Sequence, residues 1–482
     1  MDKREVDVAI IGAGTAGLVA YRQAVRAAEK VVLIEGEQYG TTCARVGCMP
    51  SKLLIAAAES AQSARESSVF GVHTGDVRVD GKAVMDRVRR ERDRFVAPVV
   101  KSTQALPEAH RLMGHARFLG SHRLVVGEHT EVSARRIVIA TGSRPHIPAP
   151  FKGAKDRLIV NDDVFDWQDL PESVAVFGPG VIGLELGQAL SRLGVRVRMF
   201  GVDGSIGGLQ DQKILSRARS IFGEELELSL SAKTEKIART DQGVAITFSE
   251  EGGAATARTE TFDYLLAATG RRPNIDHLDI QNAGIELDEN GMPEFDPYTL
   301  QCGDSHIFIA GDVNNDRPLL HEAADEGRIA GKNAGTWPEV RTGLRKTPMS
   351  VVFSDPQIAR VGLTLAQVGE RCRGCFSAGE VSFDNQGRSR VMAKNDGLLR
   401  VYGEHGSGLF MGAEMLGPAA EHLAHLLAWS AQQRMTVKAM LEMPFYHPVI
   451  EEGLRTALKE LNRNLQMGPE QGDECMECGP GA

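Results

Sequence analysis

Two glycine fingerprints, each between a β-rich stretch and a helix-compatible stretch, constrain the fold of this chain more than any other feature. The first, Gly12-Ala13-Gly14-Thr15-Ala16-Gly17, follows residues 6 to 11. The second, Gly178-Pro179-Gly180-Val181-Ile182-Gly183, follows residues 173 to 177. In such a pattern the first glycine allows a tight turn, the second lets the backbone approach a pyrophosphate, and the third lets helix and strand pack closely. The chain is therefore predicted to contain two Rossmann-like units that each bind a dinucleotide.

The residue that ends the second strand of such a unit contacts the adenosine ribose. In the first unit the strand of residues 31 to 34 ends in Glu35, whose carboxylate is expected to accept hydrogen bonds from that ribose. In the second unit the strand ends in Gly201, and the next acid is Asp203. An acid would have indicated NAD and a following arginine NADP. The strongest local criterion therefore leaves the second nucleotide open.

A pair of cysteines, Cys43 and Cys48, follows the first unit. In a regular helix, Cα atoms at this spacing lie roughly 8 to 9 Å apart, whereas a disulfide requires about 4.4 to 6.8 Å. The cysteines can pair only through an irregular turn, which Gly47 allows, and Pro50 suits the first turn of the helix that follows. A helix N-terminus would lower the pKa of Cys48. We interpret the pair as redox-active, the alternative being two buried structural cysteines.

The segment Gly40-Thr41-Thr42-Cys43-Ala44-Arg45-Val46-Gly47-Cys48-Met49-Pro50-Ser51-Lys52 resembles the redox motif of the pyridine nucleotide-disulfide oxidoreductases, with Thr41 in place of a glycine. Within that family the chain resembles dihydrolipoamide dehydrogenase. The resemblance implies that Cys43 is the interchange thiol that meets the substrate and that Cys48 is the charge-transfer thiol against the flavin. It also implies that Lys52 lies near the flavin and pairs with Glu185.

Three further motifs fit the same resemblance. Thr141-Gly142 and Thr269-Gly270 lie in two similar stretches of an apolar strand, Ala-Thr-Gly, an arginine and a proline. In the family these mark the passages of the chain out of the FAD and NAD domains. Asp312 follows a buried strand, and the family's aspartate at that point binds the flavin ribityl chain. Without the resemblance, Asp312 could equally cap the helix expected around residues 321 to 334.

A histidine motif near the C-terminus completes the set. His447-Pro448-Val449-Ile450-Glu451-Glu452 resembles the family's H-P-T-x-x-E, with Val449 in place of threonine. The resemblance implies that His447 reaches the disulfide of the partner subunit as acid and base, and that Glu452 orients it. Imidazole suits this work because its pKa lies near neutrality. We expect Glu451 to be a solvated neighbour.

We therefore expect an α/β chain with two Rossmann-like dinucleotide-binding domains, for FAD and NAD(P), and a C-terminal α+β dimerisation domain. The expected ranges are 1–150 for the first part of the FAD domain, 151–274 for the NAD(P) domain, 275–345 for the central FAD part, 346–465 for the dimerisation domain and 466–482 for a cysteine-containing tail. The expected cofactors are FAD and NAD(H) rather than NADP(H). The expected assembly is a homodimer, and no metal site is predicted.

Composition narrows the remaining choices. The formal net charge of the 482 residues is -9, which argues against a nucleic-acid binder. We find no uninterrupted run of 18 apolar residues, so no membrane span is expected. The N-terminus leads directly into a strand-like stretch without a signal-peptide pattern, and we expect a cytoplasmic protein.

The resemblance implies oxidation of dihydrolipoamide, free or as a lipoyl protein, by NAD+. A second pair, Cys475 and Cys478, lies in the tail, and this leaves a first alternative open: an NADPH-dependent reductase of a disulfide, a thioredoxin-like protein or a metal ion that uses this pair. A second alternative is a flavoprotein subunit that serves chiefly as a binding component of a multienzyme complex. Cys372 and Cys375 are expected to be a surface thiol pair in a loop between a helix and a strand.

Overall fold

The computed structural model describes residues 2–250 and 257–466. The first sheet has a parallel part, and each strand at its centre contains a run of buried residues, as expected for a sheet covered on both faces. Its strands, in spatial order, are Arg111–Met113, Val31–Glu35, Asp2–Ile11, Thr130–Ile139 and Ile307–Ile309. Two antiparallel strands, Arg123–Val126 and Ala116–Gly120, extend it from the start of Thr130–Ile139. The strand Ile307–Ile309 thus returns the chain to the first nucleotide-binding unit.

The second sheet is parallel throughout and forms the second nucleotide-binding unit. Its strands, in spatial order, are Glu227–Ser229, Arg196–Phe200, Ser173–Phe177, Tyr264–Ala267 and Leu158–Ile159. An antiparallel sheet of Ala232–Thr240, Gly243–Glu250 and Arg258–Phe262 accompanies it. The short strands Ser143–Pro145 and Arg271–Pro273, which follow the two Ala-Thr-Gly motifs, pair with each other and connect the two units.

Helices cover both units, and small residues allow one helix pair to pack closely. A Cβ added at Gly327 would lie 2.3 Å from the carbonyl oxygen of Ala16, so the helices Thr15–Ala24 and Leu320–Thr336 can approach only because glycine stands there. The other α-helices of the two units are Thr42–Val46, Cys48–Glu66, Gly81–Gln104, Asn161–Val164, Val181–Arg192 and Gln212–Glu225.

The C-terminal part is an antiparallel sheet covered by helices. Its strands, in spatial order, are Met349–Val352, Gln357–Gly362, Phe410–Gly417, Leu398–Glu404 and Phe376–Ser382. Its helices are Leu365–Arg371, Gly387–Val391, Ala420–Gln432, Val437–Leu441 and Glu451–Asn464. The predicted fold class is confirmed, whereas the domain boundaries stay predictions. No helix within residues 2–250 and 257–466 is long and apolar enough to cross a membrane.

Candidate active site

The first glycine loop has the geometry of a phosphate cradle. A Cβ added at Gly12 would lie 2.3 Å from the carbonyl oxygen of Ala140, and one added at Gly17 would lie 1.8 Å from that of Gly12. A Cβ at Gly14 would meet no described atom within 4 Å. Two glycines therefore close the turn, and the third leaves open space at the N-terminus of the helix Thr15–Ala24, where backbone N–H groups favour an anion. Glu35 accepts a hydrogen bond from the Ala13 N–H at 2.9 Å, which ties the loop to the ribose position.

The second loop repeats this geometry. A Cβ at Gly178 would lie 2.4 Å from the carbonyl oxygen of Ala268, and one at Gly183 would lie 2.0 Å from that of Gly178. A Cβ at Gly180 would again meet nothing within 4 Å among the described atoms. The free space beside both helix N-termini fits the pyrophosphates of two dinucleotides.

Steric crowding explains why glycine occupies position 201. A Cβ at this position would lie 2.7 Å from the carbonyl oxygen of Leu230 and 3.1 Å from Cγ of Pro179 in the glycine loop. The backbone that follows therefore crowds the point where a discriminating acid was expected. Asp203 instead accepts hydrogen bonds from the N–H and hydroxyl of Ser205, at 3.0 and 2.6 Å, which holds its carboxylate within its own loop.

The two cysteines lie on either side of an interruption between helices. Cys43 lies in the helix Thr42–Val46, Cys48 begins the helix Cys48–Glu66, and Gly47 separates them with non-helical torsions of φ -126 and ψ -119. The irregular turn expected from the spacing is present. The Asn161 side chain donates a hydrogen bond to the Val46 carbonyl oxygen at 2.9 Å and so holds the turn from outside.

The two thiols differ in acidity. A hydrogen bond from Cys43 and the charge of Lys52 together lower the pKa of Cys48 to about 6, against the opposing effect of burial. The same hydrogen bond, together with burial, raises the pKa of Cys43. At neutral pH the reduced pair therefore holds one thiolate, on Cys48, and one thiol, on Cys43.

Lys52 is held by groups from two other elements. Its Nζ lies 2.7 Å from Oε2 of Glu185 on the helix Val181–Arg192 and 4.6 Å from the ring centre of Phe353. The other carboxylate oxygen of Glu185, which is 4% exposed, accepts a hydrogen bond from the Phe353 N–H at 3.0 Å. The contact between Lys52 and Glu185 that the resemblance implied is present, and their catalytic roles stay predictions.

These groups surround a cavity of about 260 Å³ between the two nucleotide-binding units. Cys43, Cys48, Lys52 and Glu185 line it together with Gly142 and Asp312. The Ser143 hydroxyl donates a hydrogen bond to Asp312 at 2.9 Å. Asp312 does not cap the following helix, which begins at Leu320 after Leu319, so the capping alternative is wrong. A cavity between two dinucleotide cradles, with a thiolate at its wall, fits a flavin ring.

Two predicted cofactor residues lie at the edge of this arrangement. The Thr141 hydroxyl donates a hydrogen bond to the carbonyl oxygen of Asn274 at 2.7 Å. Gly270 is outside the set of described residues that line the cavity, and its carbonyl oxygen accepts a hydrogen bond from the His146 N–H at 2.9 Å. Thr141 and Gly270 lie just before the paired strands Ser143–Pro145 and Arg271–Pro273.

His447 lies apart from the cavity of its own chain. Its Nδ1 is 3.0 Å from each carboxylate oxygen of Glu452, and its side chain is 81% exposed. The hydrogen bond with His447 lowers the pKa of Glu452. An ionised carboxylate at Nδ1 leaves Nε2 to exchange protons with a substrate. His447 is not among the described residues that line this cavity.

Sequence analysis missed two residues that support the cysteines, Asn161 and Phe353. Asn161 lies at the start of a four-residue helix after the first glycine unit, and Phe353 follows the strand Met349–Val352. Neither lies in a recognisable motif, since each acts through a contact made far along the chain. The burial of the polar Asn161 side chain indicates that it has a hydrogen-bonding role, but burial cannot be read from the sequence.

The prediction for Cys372 and Cys375 is half wrong. They do lie between a helix, Leu365–Arg371, and a strand, Phe376–Ser382. Cys372 is not at the surface, however, since it is 6% exposed and packs with Val368 and Tyr402. The predictions for Cys475 and Cys478 concern residues outside the described part of the chain.

Comparison with known proteins gives two matches to protein families. The family described as "Pyridine nucleotide-disulphide oxidoreductase" matches residues 6–327, and its "dimerisation domain" matches residues 348–458. Among curated relatives, the "Dihydrolipoyl dehydrogenase" of Geobacillus stearothermophilus is 28% identical over 457 residues, which cover 93% of this chain and 94% of that protein. The "Dihydrolipoyl dehydrogenase" of Halobacterium salinarum is 30% identical over 465 residues, which cover 94% and 95%.

Solved structures give two further likenesses, which concern the fold. The HOCl-induced flavoprotein disulfide reductase RclA from Escherichia coli superposes with a TM-score of 0.78 at 23% identity, covering 94% of this chain and 99% of that one. LpdA from Mycobacterium tuberculosis superposes with a TM-score of 0.79 at 22% identity, covering 96% and 100%.

Proposed function

The chain belongs to the pyridine nucleotide-disulphide oxidoreductases, an enzyme family that binds FAD and a pyridine nucleotide, and from that premise we propose that it oxidises dihydrolipoamide with NAD+ as a homodimer. The observation that carries the proposal is the unequal acidity of the two cysteines at the wall of the cavity. A disulfide with unequal thiols has a preferred direction of attack, because the thiol with the lower pKa leaves faster.

The acidities assign a role to each sulfur. In the proposed reaction a substrate thiolate attacks Sγ of Cys43, and Cys48 leaves as a thiolate that Lys52 stabilises. The second substrate thiolate then displaces Cys43, which accepts a proton and remains as a thiol. Lipoamide is released, and its two electrons stay with the Cys43 and Cys48 pair. FAD, when bound, would carry these electrons from the thiolate to the pyridine nucleotide.

The proton transfers need a base whose pKa lies near neutrality, and no histidine is among the described residues that line the cavity of one chain. We propose that His447 of the partner subunit accepts the substrate protons through Nε2, while Glu452 holds Nδ1. The exposure of His447 and the family's dimerisation domain over residues 348–458 support this assignment.

Other residues bind and orient the cofactors in this proposal. Gly12, Gly14, Gly17 and Glu35 hold the adenosine and pyrophosphate part of FAD, and Asp312 with Thr141 and Gly142 holds its central part. Gly178, Gly180, Gly183 and Gly270 lie along the site for the pyridine nucleotide, beside Glu185. We propose NAD+ as the oxidant, supported by the dihydrolipoyl dehydrogenase relatives and by the absence of an arginine directly after Gly201.

Steady-state assay of the purified FAD-loaded protein with dihydrolipoamide tests this function. NAD+ and NADP+ are compared as oxidants, and Cys48→Ser is compared with Cys375→Ser, a matched change at a half-buried thiol of the C-terminal part. We expect rapid NADH formation, a loss of at least about a thousandfold in Cys48→Ser, and wild-type turnover in Cys375→Ser.

Two other results would each reject the proposal. A protein that consumes NADPH with a small disulfide but leaves dihydrolipoamide unreacted would be a specialised reductase, and removal of residues 467–482 would then test Cys475 and Cys478. NADH formation that persists in Cys48→Ser would show that the electrons do not pass through the cysteine pair.

A further inference from the structure

The turn between the helix Leu365–Arg371 and the strand Phe376–Ser382 holds a second pair of free thiols. The Cys375 N–H donates a hydrogen bond to the Cys372 carbonyl oxygen at 2.7 Å, which closes a four-residue turn. Both central residues have positive φ, 47° at Arg373 and 82° at Gly374. A turn closed in this way brings its outer Cα atoms within about 7 Å, close to the range of about 4.4 to 6.8 Å that a disulfide requires.

The turn is held in this shape from both sides. The Gly374 N–H donates to the Gly369 carbonyl oxygen at 2.9 Å, and the His405 N–H donates to the Cys375 carbonyl oxygen at 3.1 Å. His405 in turn accepts a hydrogen bond through Nδ1 from the Gln466 N–H at 2.8 Å. The backbone is therefore held with its two cysteines at the ends of the turn.

The two thiols differ in access and environment. Cys375 is half-buried, whereas Cys372 is 6% exposed and packs with Val368 and Tyr402. Sγ of Cys372 lies 3.8 Å from Oε1 of Glu404, which is itself 9% exposed and whose other oxygen accepts a hydrogen bond from the Ser407 hydroxyl. Burial and the Glu404 carboxylate raise the pKa of the Cys372 thiol. Cys375 is therefore the thiol that an external molecule reaches, and Cys372 is the buried thiol of the pair.

We propose that Cys372 and Cys375 form a second redox-active pair, outside the flavin cavity, which closes to a disulfide by exchange with a low-molecular-weight disulfide RSSR. Cys375 loses its proton to solvent, attacks one sulfur of RSSR and releases RS⁻, which leaves as RSH after taking up a proton. Cys372 then loses its proton, attacks Sγ of Cys375 and releases the second RSH. In sum, two cysteine thiols are oxidised and one RSSR is reduced to two RSH. This step does not depend on the reaction proposed above.

The sequence makes the product easy to identify. Trypsin cleaves after Arg371 and Arg373, so a bond between the two cysteines joins the dipeptide Cys372-Arg373 to the peptide of residues 374–388. The full-length FAD-loaded protein is reduced, freed of reductant, treated with bis(2-hydroxyethyl) disulfide, alkylated and digested. We expect the linked peptide in the mass spectrum, with Cys302, which is 1% exposed, still a free thiol as the internal control.

Two variants test the order of attack. Cys372→Ala should trap the probe on Cys375 as a stable mixed disulfide, and Cys375→Ser should leave Cys372 at least about tenfold less labelled in the same time, because its sulfur is buried and protonated. Glu404→Gln should shorten the lifetime of the mixed disulfide, since it removes a charge that keeps Cys372 protonated.

Three results would overturn the proposal. The first is recovery of both cysteines as alkylated thiols under conditions that fully close the Cys43 and Cys48 bond. The second is linkage of either cysteine to a peptide that contains Cys475 or Cys478. The third is faster labelling of Cys372 in Cys375→Ser than of Cys375 in Cys372→Ala.

Discussion

The fold makes Cys48 more acidic than an ordinary thiol, because a neighbouring thiol and an ammonium group both favour its anion. Since its pKa is lowered to about 6, the thiolate should be present above that pH and be lost as pH falls through it. The thiolate absorbance of the reduced protein in the far ultraviolet, taken as the difference from Cys48→Ser, measures this titration. Lys52→Met should move the midpoint upward, whereas Lys82→Met, at an exposed helix position, should leave it unchanged. A midpoint near that of a free thiol in the wild type would contradict the assignment.

Two glycines of the second loop are predicted to have different roles, Gly180 in nucleotide binding and Gly183 in folding. Gly180→Ala places a methyl group in open space beside the helix N-terminus, so the protein should fold, keep FAD and show a KM for the pyridine nucleotide at least about tenfold higher, equivalent to about 1.4 kcal/mol of lost binding. Gly183→Ala places it 2.0 Å from the carbonyl oxygen of Gly178, so this variant should instead lose thermal stability. Equal melting temperatures in the two variants would contradict this division.

The role of a single residue was predictable where a sequence motif determines its chemistry. It was not predictable where a contact with a residue far along the chain determines it. The redox role of Cys43 and Cys48 was predicted from their motif and from the dinucleotide fold before it, and their spacing predicted the irregular turn. Asn161 and Phe353 became visible only in three dimensions, because the contacts with Val46 and Glu185 span large separations in the chain. Cys372 was misplaced for a related reason: its burial depends on packing with Tyr402, which lies on the strand Leu398–Glu404.

At the scale of elements, the pair of Lys52 and Glu185 joins the helix that carries Cys48 to the helix of the second nucleotide loop. Lys52→Met should lower the free energy of unfolding by about 1 to 3 kcal/mol, because it leaves a carboxylate of 5% exposure without its cation, and the partial exposure of Lys52 moderates the loss. Adding Glu185→Gln should recover most of this loss, since no buried charge then remains unpaired. Chemical denaturation of the four proteins gives the coupling energy. A double variant as unstable as the sum of the two single variants would contradict a direct interaction.

Elements were predictable from periodicity and turn residues, except where neighbours decide their ends. The helix of the second loop ends at Arg192, where Gly194 follows closely. The helix after the cysteine pair continues to Glu66, since its second half consists mostly of good helix formers and lacks a glycine or proline. It packs against the helices Gly81–Gln104 and Val181–Arg192, and these contacts cannot be read from the sequence.

At the scale of the whole molecule, the cavity and the proposed base lie on different parts of one chain. His447 is exposed, and large apolar side chains from the same C-terminal part are exposed with it: Leu426 at 39%, Trp429 at 64%, Met443 at 49% and Tyr446 at 81%. Several exposed apolar side chains in one part of a chain are typical of a surface that another subunit covers. A two-fold dimer that covers this surface could bring each His447 to the cysteines of the other subunit.

Subunit complementation tests that arrangement directly. Cys48→Ser and His447→Gln homodimers should both have lost turnover with dihydrolipoamide. In a heterodimer of the two, isolated by different affinity tags, one site combines the intact cysteines of one subunit with the intact His447 of the other, so about half of the wild-type turnover should return. If His447 served its own chain, both sites of the heterodimer would contain a defect and no activity would return. Sedimentation at the assay concentration should show that the species measured is the dimer. When Glu452→Gln replaces His447→Gln, turnover should be lost only in part and should recover in the same pattern, because Glu452 acts by orienting the histidine.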